Sequence, residues 1–304
     1  MEQGSNIEEL LRYNDKIRIK VTDRCNMHCW FCHAEGMHES KDVVINDTLS
    51  NALQNMHDVM NRVHITGGEP FVYGYLNELV ELLSDNGYTT AVTTNGQFVL
   101  NVNTMRIIER LEYINFSFHS LEREYYARLT GSQQDGTAVD RITTNIWRLN
   151  SILPVRINAV VSGDGINQKL DDMIRFASEV KCELKLVPEL RTKSVSIQAI
   201  DSLLHRNGYK LYQIVRIVPG SNVRERYRNG TGHVIEVKKL KPYFPDCLCS
   251  GCEQRNTCNQ GYSFLRIGGN PLYCQACIMQ APLDFDDFTA TIWKELKYEY
   301  ENEK

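Results

Sequence analysis

The sequence predicts an α/β fold: a parallel sheet curled into a partial (β/α)6 barrel, followed by a small cysteine-rich module. Three observations carry that prediction. Short β-rich runs alternate with helical patterns in series between residues 17 and 206, which is the layout of parallel strands joined by crossover helices. Near residue 208 the pattern changes to alternating runs of antiparallel type, dividing the chain into a barrel at 1–207 and a module at 208–304 that ends in a helix. The residues best suited to chemistry fall just after strands, the side on which barrel active sites are built.

Taken in order, Ile17 to Thr22 alternates at period two and reads as the first strand. Leu49 to Asn61 is helical, Arg62 to Thr66 a strand running into the turn Gly67-Gly68-Glu69-Pro70, and Leu76 to Ser84 a helix stopped by Asn86-Gly87. Strand Thr89 to Thr94 ends at Asn95-Gly96. The same unit recurs as helix Thr104 to Leu111 with strand Tyr113 to His119, helix Val139 to Ile152 with strand Val155 to Ser162, and helix Lys169 to Val180 with strand Leu184 to Val187. A helix over Ile197 to Arg206 closes this part. Beyond it, Tyr209 to Val218 and His233 to Lys239 read as antiparallel strands around the turn-rich Pro219 to Gly232. Phe264 to Tyr273 reads as a hairpin turning at Gly268-Gly269-Asn270, and Asp284 to Lys304 as an acidic amphipathic helix.

The chain has 304 residues, 42% hydrophobic and 24% charged, which is enough to bury a core in one large or two modest domains. A net charge of -4 gives no global basic field, which argues against nucleic-acid and anionic-membrane partners. Met1 to Lys16 is polar, and no run approaches the roughly 20 apolar residues of a membrane span, so the expected location is the cytoplasm. Ten cysteines in such a chain favour metal ligation over disulfides.

Those cysteines fall into two groups. The first is Cys25-Asn26-Met27-His28-Cys29-Trp30-Phe31-Cys32, three thiols on one loop after the first strand. Structural zinc takes four ligands, and no fourth is local; three cysteines on a 4Fe-4S cubane leave one iron open to a small molecule. A zinc knuckle or three core thiols is the alternative. With Val21-Thr22-Asp23-Arg24 before the loop, Phe31 within it and Gly67-Gly68-Glu69-Pro70 after it, the chain resembles the radical S-adenosylmethionine (SAM) superfamily.

That resemblance implies a 4Fe-4S cluster on Cys25, Cys29 and Cys32, whose open iron chelates SAM so that reductive cleavage yields a 5'-deoxyadenosyl radical that abstracts hydrogen from substrate. It implies that Gly67, Gly68 and Glu69 hold the methionyl amino group and that Phe31 packs near the adenine. Asn95, Ser120 and Asn158 would line the barrel mouth toward cofactor or substrate. A flavodoxin or ferredoxin-type donor would supply the electron. His64 and Cys182 read as packing residues.

The second group is Cys247, Cys249, Cys252, Cys258, Cys274 and Cys277. With the glycine-turn hairpin, Cys249, Cys252 and Cys274 resemble the auxiliary-cluster module of the GTP 3',8-cyclase family. This implies an auxiliary 4Fe-4S cluster with Cys258 or Cys277 as fourth ligand if it is closed. Cys249-x2-Cys252-x5-Cys258 also resembles the start of a SPASM module, but Tyr262 stands where its next cysteine belongs, so a half-size, Twitch-like module with one cluster fits better. A zinc ribbon from two CxxC pairs is the alternative.

Departures from the cyclase matter. Tyr73 stands where the cyclase has a triphosphate-binding arginine, Glu253-Gln254-Arg255 where it has further arginines, and the chain ends in Glu301-Asn302-Glu303-Lys304 rather than two glycines. GTP cyclisation is therefore not implied, although Arg24, Arg62 and Arg156 remain candidate substrate-binding cations. The expectation is hydrogen abstraction from a small, nucleotide-like molecule, with maturation of a ribosomally made peptide as the alternative. A non-catalytic iron-sulfur or zinc protein is the alternative of another class.

Overall fold

The computed structural model describes residues 7–37, 41–132, 137–161, 169–189 and 197–302. Ser162, Asn167, Glu303, Lys304 and the first residues of the polar N-terminus lie outside them. One 13-stranded sheet organises the chain. It contains β1 (Glu8–Tyr13), β2 (Lys16–Lys20), β3 (Arg62–Thr66), β4 (Thr89–Thr94), β5 (Tyr113–Ser117), β6 (Val155–Val161), β7 (Glu183–Pro188), β8 (Lys210–Val218), β9 (Asn222–Arg228), β10 (Val234–Leu240), β11 (Leu265–Gly268), β12 (Tyr273–Gln275) and β13 (Leu283–Asp284). Their order is β1-β8-β9-β10-β7-β6-β5-β4-β3-β2-β11-β12-β13, with β2 to β7 parallel, the expected half-barrel.

Helices α1 (Asp47–His57), α2 (Leu76–Asp85), α3 (Val102–Ile108), α4 (Arg123–Thr130), α5 (Thr137–Leu149), α6 (Leu170–Val180) and α7 (Ile197–Arg206) connect the strands. Their apolar positions recur at helical spacing. α1 buries Leu49, Ala52, Leu53 and Met56 behind an Asn46 cap, and α2 buries Leu76, Leu79, Val80 and Leu83. The sheet face they cover is equally apolar, since Ile17, Ile19, Val63, Ile65, Val92, Ile114, Ile157 and Leu184 all lie in the core. Period-two alternation then sends Lys16, Arg18, His64, Asn115, Arg156 and Lys185 to the concave face. The barrel lumen is polar and charged, and the hydrophobic core lies outside it.

The curl of the sheet follows from one short link. β1 and β2 stand nine places apart in the strand order, which laid flat would be about 43 Å. Asn14 and Asp15 alone join them, a reach of about 11 Å. The sheet must therefore bend back on itself. Asn14 holds the seam, donating through Nδ2 to Pro219 O at 3.0 Å and Ser263 O at 3.1 Å.

Three elements were not foreseen. β9 lies inside the stretch read as turns, because its alternate residues are charged rather than apolar: Glu225 pairs with Lys239 at 2.5 Å, and Arg224 and Arg226 pair with the buried Glu236 of β10. β1 lies in the polar N-terminal segment, and α4 follows β5 with Glu122 as its cap. Strand pairing also runs across residue 208. β10 extends the parallel sheet beside β7, while β11 adds to the far side of β2, so the last third of the chain flanks both ends of the six-stranded unit. The hairpin β11–β12 forms as expected, a short helix, α8, covers Asp246–Cys249, and the C-terminal helix comprises Phe285–Phe288, a π turn Thr289–Trp293 and Lys294–Asn302. No described helix is long and apolar enough to cross a membrane.

Candidate active site

The loop Cys25–Cys32 leaves the C-terminal end of β2, and its shape is fixed by backbone bonds to two neighbours. On one side, Gly68 N donates to Thr22 O at 2.7 Å and Glu69 N to Arg24 O at 2.9 Å. A Cβ on Gly68 would stand 2.2 Å from Arg24 O, and one on Gly67 2.8 Å from Thr22 O. The two glycines thus admit the loop that carries the cysteines. On the other side, the last carbonyls of α4, which a helix leaves without internal partners, accept from the loop: His28 N to Thr130 O at 2.8 Å and Trp30 N to Leu129 O at 3.3 Å. This brace was missed from sequence, although Glu122 at its start and Gly131 at its end are ordinary helix signals.

The three thiols are brought together. Burial pushes the Cys29 thiol up to about 12, and its neighbours Cys32 and Cys25 add to the rise. Burial likewise raises Cys25, against a hydrogen bond from Met27 N, with Glu69 and Cys32 adding to the rise. Soft thiols in this arrangement fit an iron-sulfur cluster, and binding it must displace their protons.

Glu69 is fully enclosed. Its Oε1 accepts from Thr94 Oγ1 at 2.7 Å and Phe71 N at 3.1 Å, and its Oε2 from Asn95 N at 2.7 Å. Burial raises its carboxyl to about 7 in spite of those donors. Asn95 continues the chain of contacts, donating through Nδ2 to Asn26 Oδ1 at 2.7 Å and facing Cys25 Sγ at 3.9 Å. The Glu69 side chain ties the end of β4 to the glycine turn, and the Asn95 side chain ties it to the cysteine loop.

The Phe31 ring meets His119 edge-on at 4.9 Å. His119 accepts from Val160 N through Nδ1 at 3.2 Å, and burial lowers it to about 4, so it is neutral. Ser120 is buried and accepts from Glu122 N at 3.0 Å, just ahead of α4. Asn158 is partly exposed on the lumen side of β6. His64 is no simple packing residue: its Nε2 accepts from Asn115 Nδ2 at 3.1 Å and lies 2.6 Å from Thr93 Oγ1. Cys182 is buried in the apolar core.

The candidate cations do not gather at the cysteine loop. Arg24 is exposed and paired with Asp42 at 2.6 Å. Arg62 begins β3, at the opposite end of the barrel, paired with Glu112. Arg156, near the start of β6, lies 3.9 Å over the Tyr113 ring and 3.3 Å from Glu183.

In the C-terminal module, four thiols surround one concavity of about 390 Å³: Cys249, Cys252, Cys258 and Cys277. Cys274 is not among them. It lies on β12, paired with Ile267 and Leu283 and 1% exposed, and burial raises its thiol far above the ordinary range. Cys247 packs against the core, with burial and then Glu299 pushing its thiol up to about 12. Among the described residues no three of His, Cys, Asp or Glu converge closely enough to hold a single metal ion. A second concavity, about 490 Å³, is walled by His33, next to Cys32, and by Ala276 and Ile278, which flank Cys277.

Comparison with known proteins agrees with this geometry. The model of the radical SAM superfamily matches residues 19–177. Probable GTP 3',8-cyclases from Saccharolobus islandicus and Sulfurisphaera tokodaii are each 27% identical, over 256 and 262 residues; both alignments take in 82% of this chain, and 81% and 79% of those proteins. Among solved structures, Streptococcus suis SuiB bound to its precursor peptide SuiA superposes with a TM-score of 0.58 at 17% identity, covering 91% of this chain, and SuiB bound to SAM superposes at 0.57 and 16%. The chain spans 64% and 63% of the length of SuiB in those two structures.

Proposed function

Because this chain belongs to the radical SAM superfamily, we propose that it uses the Cys25–Cys32 loop to cleave SAM reductively and directs hydrogen abstraction at a small, nucleotide-like molecule, aided by one auxiliary 4Fe-4S cluster. When bound, cluster and SAM together supply the 5'-deoxyadenosyl radical chemistry. The protein's own part is placement. Gly67, Gly68 and the end of α4 fix the loop, Glu69 and Asn95 fix the turn beside it, and Phe31, packed on neutral His119, offers an aromatic edge for an adenine.

The observation that carries this reading is the shared chamber. Its walls include the residue after Cys32 and the two residues flanking Cys277, so a substrate within it would stand beside the chain segments that carry both thiol groups. Cys249, Cys252, Cys258 and Cys277 would close the auxiliary cluster and give it a relay role. The module begins near residue 208 in this reading, and a flavodoxin or ferredoxin-type protein would supply electrons in a reducing compartment such as the cytoplasm.

Tyr73 supports a substrate other than GTP. Its side chain is buried and its hydroxyl donates to Val43 O at 2.8 Å, so this position offers no cation to a triphosphate. A peptide substrate is the second reading, prompted by the likeness to peptide-bound SuiB.

The test is anaerobic reconstitution of wild type and of the Cys25→Ala, Cys29→Ala, Cys32→Ala triple variant, counting iron and assaying 5'-deoxyadenosine with dithionite. About eight irons falling to about four, with loss of deoxyadenosine in the variant, is expected. Zinc in wild type would overturn the two-cluster reading.

A further inference from the structure

The chamber walled by His33, Ala276 and Ile278 has an unusual charge arrangement. Arg18 of β2 and Arg266 of β11 are register partners on adjacent strands, and both reach one carboxylate. Arg18 Nη1 lies 2.8 Å from Glu35 Oε1, and Arg266 Nε lies 2.9 Å from Glu35 Oε2. Arg266 also donates through Nη1 to Phe264 O at 3.0 Å, and Thr66 Oγ1 donates to Glu35 Oε1 at 3.4 Å. Glu35 is 6% exposed. Burial alone would raise its carboxyl, but the Arg18 and Arg266 guanidiniums hold it well below the usual carboxylate range.

The backbone is bent to put the carboxylate there. Ala34 and Glu35 have φ of 48° and 55°, consecutive left-handed residues with side chains, a conformation that persists only where the surroundings enforce it. Glu35 thus behaves as a resident anion supplied by the residues just after the cysteine loop.

Lys238 of β10 lines the same chamber, opposite this triad. Among the described residues it has no ion pair or side-chain hydrogen bond, although Glu236, two residues away, takes Lys185, Arg224 and Arg226. Burial, then Lys185, Arg18 and Arg266, lowers its ammonium to about 7, which an incoming anion would reverse. The chamber therefore holds two guanidiniums already answered by Glu35 and one lysine with no carboxylate partner among the described residues.

We propose that the chamber selects a ligand bearing one compact oxyanion, a carboxylate or monophosphate, received by Lys238, and that Glu35 withholds Arg18 and Arg266 so that polyphosphates gain nothing there. This rests on the chamber being the substrate site, and it names the class of substrate. Lysine presents a point charge suited to a single oxyanion, whereas a freed arginine pair would offer forked donors to a pyrophosphate.

The test is equilibrium binding to the reconstituted full-length protein by calorimetry, with acetate, inorganic phosphate and pyrophosphate as probes, without SAM or reductant. Wild type should bind acetate or phosphate, with pyrophosphate no more than about threefold tighter than phosphate. Acetate binding identifies a carboxylate ligand; phosphate binding alone identifies a monophosphate. Lys238→Met should weaken that binding at least tenfold, and Glu35→Gln should make pyrophosphate at least tenfold tighter than phosphate. The proposal is overturned if wild type already prefers pyrophosphate tenfold, binds neither small anion, or binds them equally well as Lys238→Met. If Glu35→Gln does not fold, wild type and Lys238→Met still decide. Because no probe depends on SAM cleavage, failure to form deoxyadenosine would count against the enzymatic reading alone.

Discussion

Replacing Gly68 by alanine should cost the chain its first cluster while leaving the second intact. The added methyl would stand 2.2 Å from Arg24 O, 2.6 Å from Arg24 C and 2.7 Å from Asp23 O, where ordinary contacts begin near 3.4 Å. These are backbone atoms, so no rotamer change relieves the clash. The loop must retreat by about 1.2 Å at the residue before Cys25. Retreat breaks the bonds from Gly68 N to Thr22 O and from Glu69 N to Arg24 O, a loss of about 2 kcal/mol, or roughly 3 °C in melting temperature. Metal ligands tolerate displacements of only about 0.2 Å, so cluster assembly should suffer more than folding does. The assay is iron and sulfide content after anaerobic reconstitution, expected to fall by about four irons, with deoxyadenosine formation lost. Gly74→Ala is the control, since nothing lies within 4 Å of a Cβ there. If Gly68→Ala retains the iron and activity of wild type, the packing account of the two glycines is wrong.

Other consequences are as open to measurement. Glu69→Gln must turn its NH2 toward either Asn95 N–H or the donors at Phe71 and Thr94, and should lose about 1–3 kcal/mol in urea unfolding of the metal-free protein; a change below 0.5 kcal/mol would contradict the bonding described. His119 is held neutral, with its folded value near 4 against an ordinary 6.5, so its contribution is complete above pH 6.5 and is lost as the pH falls toward 4. The stability of wild type relative to His119→Asn should therefore drop by about 3 kcal/mol between pH 7 and pH 4, and a pH-independent difference would refute the assignment. Cys277→Ser should remove the auxiliary iron, whereas Cys274→Ser should keep it; the opposite pattern would restore Cys274 as the ligand.

The parallel strands were legible because each carries its own period-two signal, and Arg62–Thr66 and Thr89–Thr94 match the expected ranges to the residue. β9 was not, because its side chains answer charges on β10, and a run of arginines around one glutamate looks like solvent-facing loop until its partners are known. The first cysteine group was legible because its ligands are local. The second required the fold: spacing cannot tell that Cys274 is locked between two strands, while Cys258 and Cys277, nineteen residues apart, face one cavity. Glu69 was read for its charge, yet its place among three donors makes it the joint between the turn and β4.

Glu35 illustrates why charge in such a lumen cannot be judged one residue at a time. β11 joins β2 in parallel, and the register that sets Leu265 against Ile17 and Ile267 against Ile19 also sets Arg266 against Arg18. The apolar pairs demand that register, and a slip of one residue would turn the isoleucines into the lumen. Two guanidiniums on neighbouring strands follow as its consequence, and like charges so placed repel. A carboxylate between them offsets that repulsion where the strands meet, whatever ligand the chamber takes. Because that carboxylate comes from the segment directly after Cys32, closing the sheet and positioning the cysteine loop are mechanically linked: a substitution at Arg266, 234 positions along the chain from Cys32, should loosen the first thiol group.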